Sequence, residues 1–449
     1  MTTFAFDHLP VPHVVTPLPG PVAADLLARD TVFVSGSYTR VYPLVVERGS
    51  GCVIVDVDGN RYLDFTAGIA VTNAGHCHPD VVAAVQDQAA KLIHMSGTDF
   101  YYRPQIELAE RLARTAPGPT PKKVFFCNSG AEAVEAALKL ARWHTERSRV
   151  VAFFGAFHGR TYGAMSLSGS KLVHRRGFSP LVPDVHHVAF PKECPGTCDN
   201  RRKGQCSLIT DLEATIFKRI APPEEVAAIF VEPIQGEGGY HPLPAGCMPA
   251  LRELCDKHGI LLVVDEIQSG MGRTGKLWAV EHYGVEPDIV CSAKGIASGL
   301  PLGAIIAKAD VMDWPPGSHA STFGGNPVAC RAALATLDLL EGGYTANAAE
   351  RGEQLRAGLR KLPGLTNVRG LGLMTAADVP SAGVREKVID GCFRRGLLLL
   401  GCGESAIRFC PALCVTESQV SDCLRILGEV LVETAEVPTR SPTHPSGGA

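Results

Sequence analysis

The feature that most constrains this 449-residue chain is a series of short apolar runs, separated by amphipathic stretches, between about residues 104 and 310. The runs are β-rich and lack polar alternation, which is typical of strands covered on both faces. The stretches between them repeat apolar residues at helical spacing, as at Val134, Leu138 and Ala141. This alternation predicts an α/β fold with a mostly parallel sheet and helices on both sides. The six runs are residues 122–127, 149–154, 226–231, 260–264, 288–293 and 303–308.

The two ends of the chain have a different pattern. Residues 1–30 are proline-rich without clear periodicity and predict an extended arm. Residues 52–65 predict a hairpin, because two short β-rich runs flank an Asp-Gly-Asn turn. Residues 327–341 predict a long helix leading into a C-terminal α+β region, and residues 436–449 predict a disordered tail.

The composition is that of an ordinary globular protein. Hydrophobic residues make up 45% and charged residues 20%, and the net charge of -3 gives no indication of nucleic acid or an anionic membrane as a partner. No apolar run approaches the roughly 20 residues of a membrane span. The N-terminus lacks a basic start followed by an apolar core, so no signal peptide is predicted and the expected location is the cytoplasm.

Fifteen cysteines are present, and most of them stand singly in apolar runs. An odd number without an export signal argues against a disulfide framework, so these residues are predicted to be small buried hydrophobes. A cluster within residues 190–215, an insertion rich in Cys, Pro and basic residues, is the exception. Its spacing fits no common zinc motif, so a surface loop with free thiols and no metal is predicted. The single cysteines include Cys127, Cys291, Cys330 and Cys410, and the cluster is Cys194, Cys198 and Cys206.

A turn after the first apolar run predicts an anion site. Asn128, Ser129 and Gly130 form the turn, and a helix is predicted to begin at about Ala131 with Ser129 as its N-cap. Free N–H groups and the helix dipole favour a bound anion at such a corner. Glu132 would disfavour a phosphate there unless its side chain points away. The alternative is an ordinary strand–turn–helix connection without a ligand.

Charged residues follow two further runs. Asp265 and Glu266 place carboxylates at the end of a strand, where a buried carboxylate needs a partner such as a protonated heterocyclic nitrogen. Lys294 follows another apolar run, and an apolar setting would lower its pKa and make it a nucleophile towards an aldehyde. The alternatives are a helix cap or salt bridge for the acids and a surface lysine for Lys294.

Two ring-bearing side chains and an arginine follow the run at residues 149–154. Phe157 and His158 offer rings, and Arg160 offers a planar fork suited to a carboxylate. Taken singly, they could equally be core aromatics beside a surface arginine. Together, the four strand ends supply an anion site, an aromatic ring that can stack on a cofactor, an acid and a lysine. This is the set of groups that pyridoxal 5'-phosphate (PLP) requires.

Seven motifs resemble those of the class III aminotransferases, the fold-type I PLP enzymes that include acetylornithine, ornithine and 4-aminobutyrate aminotransferases. The resemblance covers about residues 35 to 430, and its motifs stand in the family's order. They are DGNRYLDFTAGIAV, NSGAEAVEAALKLAR, FHGRTYG, VEPIQGEGG, VVDEIQSGMGRTG, the lysine segment CSAKGIASGLPLGA, and STFGGNP.

The resemblance implies a fold and a domain organisation. The family fold has a large PLP domain, with a mostly parallel seven-stranded sheet, and a smaller α+β domain built from both chain ends. The implied division is an arm (1–30), the N-terminal part of the small domain (31–103), the large domain (104–320), the C-terminal small domain (321–435) and the tail.

The resemblance also implies roles around the cofactor ring. Lys294 would form the Schiff base and move the proton, and Asp265 would pair with the pyridine nitrogen. Gln268 would contact the phenolic oxygen. Phe157 would stack on the ring with His158 beside it, and Glu232 would support the region of Asp265.

The phosphate is implied to be held by Ser129, Gly130 and Ala131. Thr322 of one subunit would reach the phosphate bound in the other, so a homodimer with shared active sites is implied.

For the substrates, the resemblance implies that Arg160 binds a carboxylate and that Glu237 and Arg408 form a gating pair. Glu237 would mask Arg408 for the amino donor and release it for the 2-oxo acid. The implied reaction moves an amino group from an ω-amino or α-amino acid to a 2-oxo acid, with 2-oxoglutarate as the expected acceptor.

Two alternatives stay open at this point. The insertion resembles a longer-loop branch of the family that also contains PLP-dependent amino-acid racemases and epimerases. A racemase needs a second acid/base group opposite Lys294, for which Glu237 or His158 are the candidates. A non-catalytic binding protein would require the loss of a catalytic residue, and Lys294 and Asp265 are both present.

Overall fold

The computed structural model describes residues 2–192 and 206–436. The predictions for Cys194, Cys198 and the tail beyond residue 436 lie outside these residues. The strands are β1 Val46–Ser50, β2 Val53–Asp56, β3 Arg61–Asp64, β4 Lys122–Cys127, β5 Arg149–Phe153, β6 Val185–Val188, β7 Val226–Val231, β8 Ile234–Gln235, β9 His241–Pro242, β10 Leu261–Asp265, β11 Ile289–Ser292, β12 Gly303–Lys308, β13 Thr366–Leu371, β14 Met374–Asp378, β15 Leu397–Leu398, β16 Leu400–Cys402 and β17 Ala406–Phe409.

The helices lie between these strands and beyond them. Short 3-10 segments follow several strands, and one of them begins at Lys294. The helices are α1 Pro21–Phe33, α2 Ala67–Ala70, α3 Pro79–Lys91, α4 Arg103–Thr115, α5 Gly130–Thr145, α6 Tyr162–Leu167, α7 Ser207–Asp211, α8 Cys247–His258, α9 Pro327–Leu339, α10 Thr345–Leu359, α11 Ala382–Arg394 and α12 Glu417–Glu436.

Seven strands form the central sheet, in the order β4-β12-β11-β10-β7-β5-β6. β12 runs antiparallel to both of its neighbours, and the other neighbouring strands are parallel. The predicted mostly parallel α/β sheet is therefore confirmed, as are all six predicted runs within one or two residues at their ends. The sequence reasoning missed β6, whose residues are Val-His-His-Val and only partly buried at the sheet edge.

Both faces of the central sheet are covered, which explains the absence of polar alternation. Val150 and Ala152 in β5 pack into the core that contains α5, whereas Val151 and Phe153 pack into the core that contains α8. Because successive side chains of a strand point to opposite faces, a strand between two cores is apolar throughout.

Two smaller four-stranded sheets lie outside the central sheet. One has the order β1-β2-β3-β15 and the other β13-β14-β17-β16. β2 and β3 are the predicted hairpin, and Gly59 in its turn has a φ of +87° that favours glycine. β15 pairs in parallel with β3 and thereby joins the two ends of the chain. The domain boundaries stay a prediction.

The prediction of an extended arm over residues 1–30 is wrong for residues 21–30, which lie in α1. The carboxylate of Asp58, in the hairpin turn, accepts hydrogen bonds from the first helical N–H groups, at 2.9 Å from both Val22 and Ala23. These N–H groups have no partner within a helix, so a carboxylate from elsewhere stabilises the helix start. A cap that is supplied by a distant turn leaves no local pattern.

The four single cysteines Cys127, Cys291, Cys330 and Cys410 are buried, as predicted. Cys206 is buried as well, with its Sγ 3.0 Å from that of Cys247, so the prediction of a surface position is wrong for this member of the cluster. Within the described ranges, no helix is both long and apolar enough to cross a membrane.

Candidate active site

The carboxyl ends of five parallel strands meet at one edge of the central sheet. Each strand is followed within a few residues by a side chain singled out from the sequence, which is where ligands bind in sheets of this kind. These are Ser129 after β4, His158 after β5, Glu232 after β7, Asp265 at the end of β10 and Lys294 after β11.

The corner between β4 and α5 has features that favour a bound anion. Ser129 is the N-cap of α5, and its hydroxyl accepts a hydrogen bond from the Glu132 N–H at 3.2 Å. The Glu132 carboxylate turns back and accepts hydrogen bonds from the backbone and side-chain nitrogens of Asn128, at 2.8 and 2.9 Å. Its charge is thereby paired with donors of the turn, and the N-terminus of α5, beginning at Gly130, carries the positive end of the helix dipole.

Close backbone packing brings the loop after β5 onto this corner. Gly159 has a φ of +141°, and a Cβ there would lie 2.7 Å from the Cβ of Ala131. A Cβ at Gly303 would lie 2.4 Å from the carbonyl oxygen of Ser129. Only glycine allows these two approaches, so the loop, the strand β12 and the start of α5 fit together without side chains between them.

Asp265 and His158 form a buried hydrogen-bonded pair. The Nδ1 of His158 lies 2.7 Å from Oδ2 of Asp265, and the Ile267 N–H donates to Oδ1 at 3.0 Å. Burial alone would lower the pKa of His158, but the hydrogen bond and the charge of Asp265 outweigh it and raise the pKa. The Nε2 of His158 is buried and has no hydrogen-bond partner in the described part of the chain.

Glu232 lies close enough to His158 and Asp265 for their charges to interact with its own. Its carboxylate accepts hydrogen bonds from the N–H groups of Gly236 and Phe157, at 3.1 and 3.3 Å. Burial, assisted by the negative charge of Asp265, raises the pKa of Glu232 to about 7.

Gln268 is held three residues beyond Asp265. Its Oε1 accepts a hydrogen bond from the hydroxyl of the buried Tyr240 at 2.7 Å. The contact leaves the Gln268 amide with its N–H donors for another group.

Lys294 begins a 3-10 turn after β11, with a φ of +46°. Burial lowers the pKa of the Lys294 amine, against the opposing influence of the negative charges of Asp265 and Glu232. A lowered pKa increases the neutral fraction of the amine, which is the form that attacks an aldehyde or accepts a proton.

A second group of charges lies around Glu237. One carboxylate oxygen is 3.3 Å from Nη1 of Arg408, whose side chain is 7% exposed, and the other is 2.5 Å from Nζ of Lys171. Arg160 is exposed, with its guanidinium 5.5 Å from the centre of the Phe157 ring. The structure therefore brings Glu237 and Arg408 together with Lys171, a lysine that had no signal in the sequence, and it places Arg160 beside Phe157.

Thr322 is exposed and lies in a segment fixed to the rest of the chain. The neighbouring Ser321 accepts a hydrogen bond from the Asn128 amide at 3.1 Å, and the Phe323 ring is 4.9 Å from that of His94. Phe323 is 62% exposed and Tyr101 is 95% exposed. Thr322 thus stands beside the exposed ring of Phe323.

The residues at this edge fit PLP. A helix N-terminus suits the phosphate, and a buried acid that a histidine orients suits a protonated ring nitrogen. A lysine with a lowered pKa suits the aldehyde, and the amide of Gln268 offers donors for a phenolic oxygen.

Lys171 and Tyr240 had no signal in the sequence. Lys171 stands in a polar segment that predicts an exposed loop, and Tyr240 follows a glycine-rich stretch. Their contacts join residues that are 66 and 28 positions apart, so local patterns cannot disclose them.

Comparison with known proteins gives consistent results. The family model described as "Aminotransferase class-III" matches residues 34–431. The chain is 39% identical to a 5-aminovalerate aminotransferase of Pseudomonas aeruginosa, covering 91% of this chain and 98% of that protein. It is 43% identical to an acetylornithine aminotransferase of a Nostoc species, covering 89% and 91%. The crystal structure of an ornithine aminotransferase from Toxoplasma gondii superposes with a TM-score of 0.82 at 32% identity, covering 93% and 97%.

Proposed function

Because the chain belongs to the class III aminotransferase family and is therefore a PLP-dependent aminotransferase, we propose that it takes the terminal amino group of an ω-amino acid and passes it to 2-oxoglutarate. The observation that carries the proposal is the pair of Glu237 and Arg408. While the Glu237 carboxylate covers Arg408, the arginine is hidden from one substrate. When the carboxylate moves away, the arginine is available to the other substrate. Such a site suits a donor without an α-carboxylate and an acceptor with one.

We assign the chemistry to residues at the sheet edge. PLP, when bound, supplies an aldehyde that condenses with amines and a ring that withdraws electrons from the adjacent carbon. The Lys294 amine takes the proton from the carbon that bears the amino group. The Asp265 carboxylate, held by His158, keeps a proton on the ring nitrogen. The Glu232 carboxylate accepts hydrogen bonds from the N–H groups of Phe157 and Gly236 and thereby keeps this part of the backbone in place.

We assign the remaining contacts to the phosphate, the ring and the donor. The start of α5 at Ser129, Gly130 and Ala131 holds the phosphate, and Gln268 donates to the phenolic oxygen. The Phe157 ring covers the cofactor ring, and Arg160, at the outer side of Phe157, binds the donor carboxylate.

We further propose a homodimer in which Thr322 completes the phosphate site of the other subunit. The support is the exposed ring of Phe323, the residue that follows Thr322 in the chain. A second copy of the chain would cover this ring. A cytoplasmic location stays a prediction from the sequence.

The racemase alternative finds no support in the site or in the relatives. His158 is fully engaged with Asp265 on its Nδ1 side, and Glu237 is paired with two cations. Glu237 is therefore not free to act as a second base, and His158 offers only its buried Nε2. The relatives described above are aminotransferases.

The test uses the PLP-loaded protein without any 2-oxo acid. A panel of ω-amino acids and L-amino acids is added, and the absorbance of the bound cofactor and the optical rotation of the amino acid are followed. We expect ω-amino acids to bleach the cofactor band and 2-oxoglutarate to restore it. A persistent band with loss of optical rotation would instead show a racemase, and bleaching by L-amino acids alone would refute an ω-amino donor.

A further inference from the structure

Lys171 gives the Glu237 carboxylate a second cation. Its Nζ lies 2.5 Å from one oxygen of Glu237, while Arg408 lies 3.3 Å from the other. The two cations differ in environment, since the Lys171 side chain is 42% exposed and that of Arg408 is 7% exposed. The carboxylate therefore bridges an inner and an outer positive charge.

The backbone around Glu237 is fixed on both sides. The Glu237 carbonyl oxygen accepts a hydrogen bond from Gly403 at 2.9 Å, and the Gly239 carbonyl oxygen accepts one from Arg369 at 2.8 Å. The Gly236 N–H donates to Glu232 at 3.1 Å. Uncovering Arg408 must therefore come from rotation of the Glu237 side chain, with its backbone in place.

Removing Glu237 from Arg408 has an electrostatic cost. Burial by itself would raise the pKa of Glu237, but Arg408 and Lys171 outweigh it and lower the pKa, so the carboxylate stays charged. A partly buried charge that loses its partner is strongly destabilised. His174, nearby, does not supply a replacement cation at neutral pH because burial lowers its pKa. Lys171 already touches the oxygen that faces away from Arg408.

We propose that Lys171 is a positioning residue that holds the Glu237 carboxylate when the carboxylate of a 2-oxo acid displaces it from Arg408. The inference rests on the proposed function, because it concerns the exchange between the two substrates. Lys171 lowers the cost of uncovering Arg408 and so favours the second half-reaction, in which the 2-oxo acid binds. The first half-reaction, in which Arg408 stays covered, does not need it.

The test compares the PLP-loaded parent with Lys171→Met, which keeps most of the length of the unbranched side chain without its charge, and with Lys171→Arg as the matched control. The two half-reactions are measured separately by the absorbance of the cofactor. Binding of glutarate, a dicarboxylate that does not react, is measured by calorimetry. We expect Lys171→Met to weaken glutarate binding, and to lower kcat/KM for the acceptor, by about tenfold, which is about 1.4 kcal/mol. The donor half-reaction should change by less than about threefold, and Lys171→Arg should restore acceptor binding.

A double variant decides whether Lys171 acts through Glu237. In a Glu237→Gln background, the further change Lys171→Met should leave glutarate binding unaltered, since no charged side chain needs a second partner. A tenfold loss in that background would mean that Lys171 contacts the acid directly, and the proposal would fall. Equal losses in both half-reactions, or no loss in either, would also overturn it. If the parent reacts with no ω-amino acid, the proposed function is wrong. If the parent is active in both half-reactions and Lys171→Met changes neither of them, only the inference about Lys171 is wrong.

Discussion

The hydrogen bond between His158 and Asp265 is expected to support cofactor binding, because it orients the carboxylate that pairs with the ring nitrogen. We consider the change His158→Ala, which removes the ring that donates to Oδ2 of Asp265 at 2.7 Å and leaves only the Ile267 N–H on Oδ1. Both side chains of the pair are almost completely buried, at 0% and 4% exposure, so the lost contact lies in the interior of the protein. Asp265 then loses the side chain that orients its carboxylate, and it becomes a less well positioned partner for a protonated ring nitrogen.

The size of the effect follows from the type of bond that is lost. A hydrogen bond to a charged group contributes about 1.5–3 kcal/mol, which corresponds to roughly 10- to 150-fold in an equilibrium or a rate. We expect His158→Ala to raise the dissociation constant of PLP and to slow the donor half-reaction by factors in this range. The assay is a titration of the cofactor-free protein with PLP, followed by single-turnover kinetics with an ω-amino acid.

The matched control is His158→Asn, which keeps an amide N–H near the position of Nδ1. It keeps a donor for the Asp265 carboxylate but not the imidazole ring that holds this donor in place, so an intermediate loss is expected. PLP affinity and rate within threefold of the parent for His158→Ala would refute the reasoning. Equal losses in the Ala and Asn variants would show that the volume of the ring, and not its hydrogen bond, is what matters.

Three further outcomes are expected. Lys294→Ala should lower turnover by at least 100-fold with an unchanged circular dichroism spectrum, since proton transfer by a positioned group contributes about 10²–10⁴-fold, and near-normal turnover would contradict its role. Glu232 has a folded pKa of about 7, above its usual value of 4.5, so the folded state binds the extra proton and stability falls as pH rises from about 4.5 to 7. Glu232→Gln in the cofactor-free protein should therefore change the melting temperature more favourably at pH 8 than at pH 5, and a pH-independent difference would refute this. Phe323→Glu should shift the protein towards monomers in sedimentation experiments and weaken PLP binding, whereas an unaltered oligomer would count against the proposed interface.

Local patterns were sufficient for the parts of this protein that depend on neighbours in sequence. The six apolar runs, the Ser129 cap of α5 and the placement of Asp265 and Lys294 directly after strands all follow from residues a few positions apart. Because parallel strands place their carboxyl ends at one edge, this order along the chain was enough to predict a common site.

Side-chain partners could not be obtained in this way. His158 and Asp265 are 107 residues apart, and Glu237 is 66 residues from Lys171 and 171 from Arg408. The motif resemblance suggested the pair of Glu237 with Arg408, but it gave no indication of Lys171 as a third member.

The sequence by itself determined the fold class and the chemical types of the groups at the sheet edge, since strand periodicity and residue identity are properties of short segments. The tertiary structure alone decided which charge meets which. It capped α1 with Asp58, turned Glu132 towards Asn128 and placed Lys171 on Glu237. Electrostatic energies depend on distances of a few ångströms and on burial, and both are fixed only when distant segments pack together.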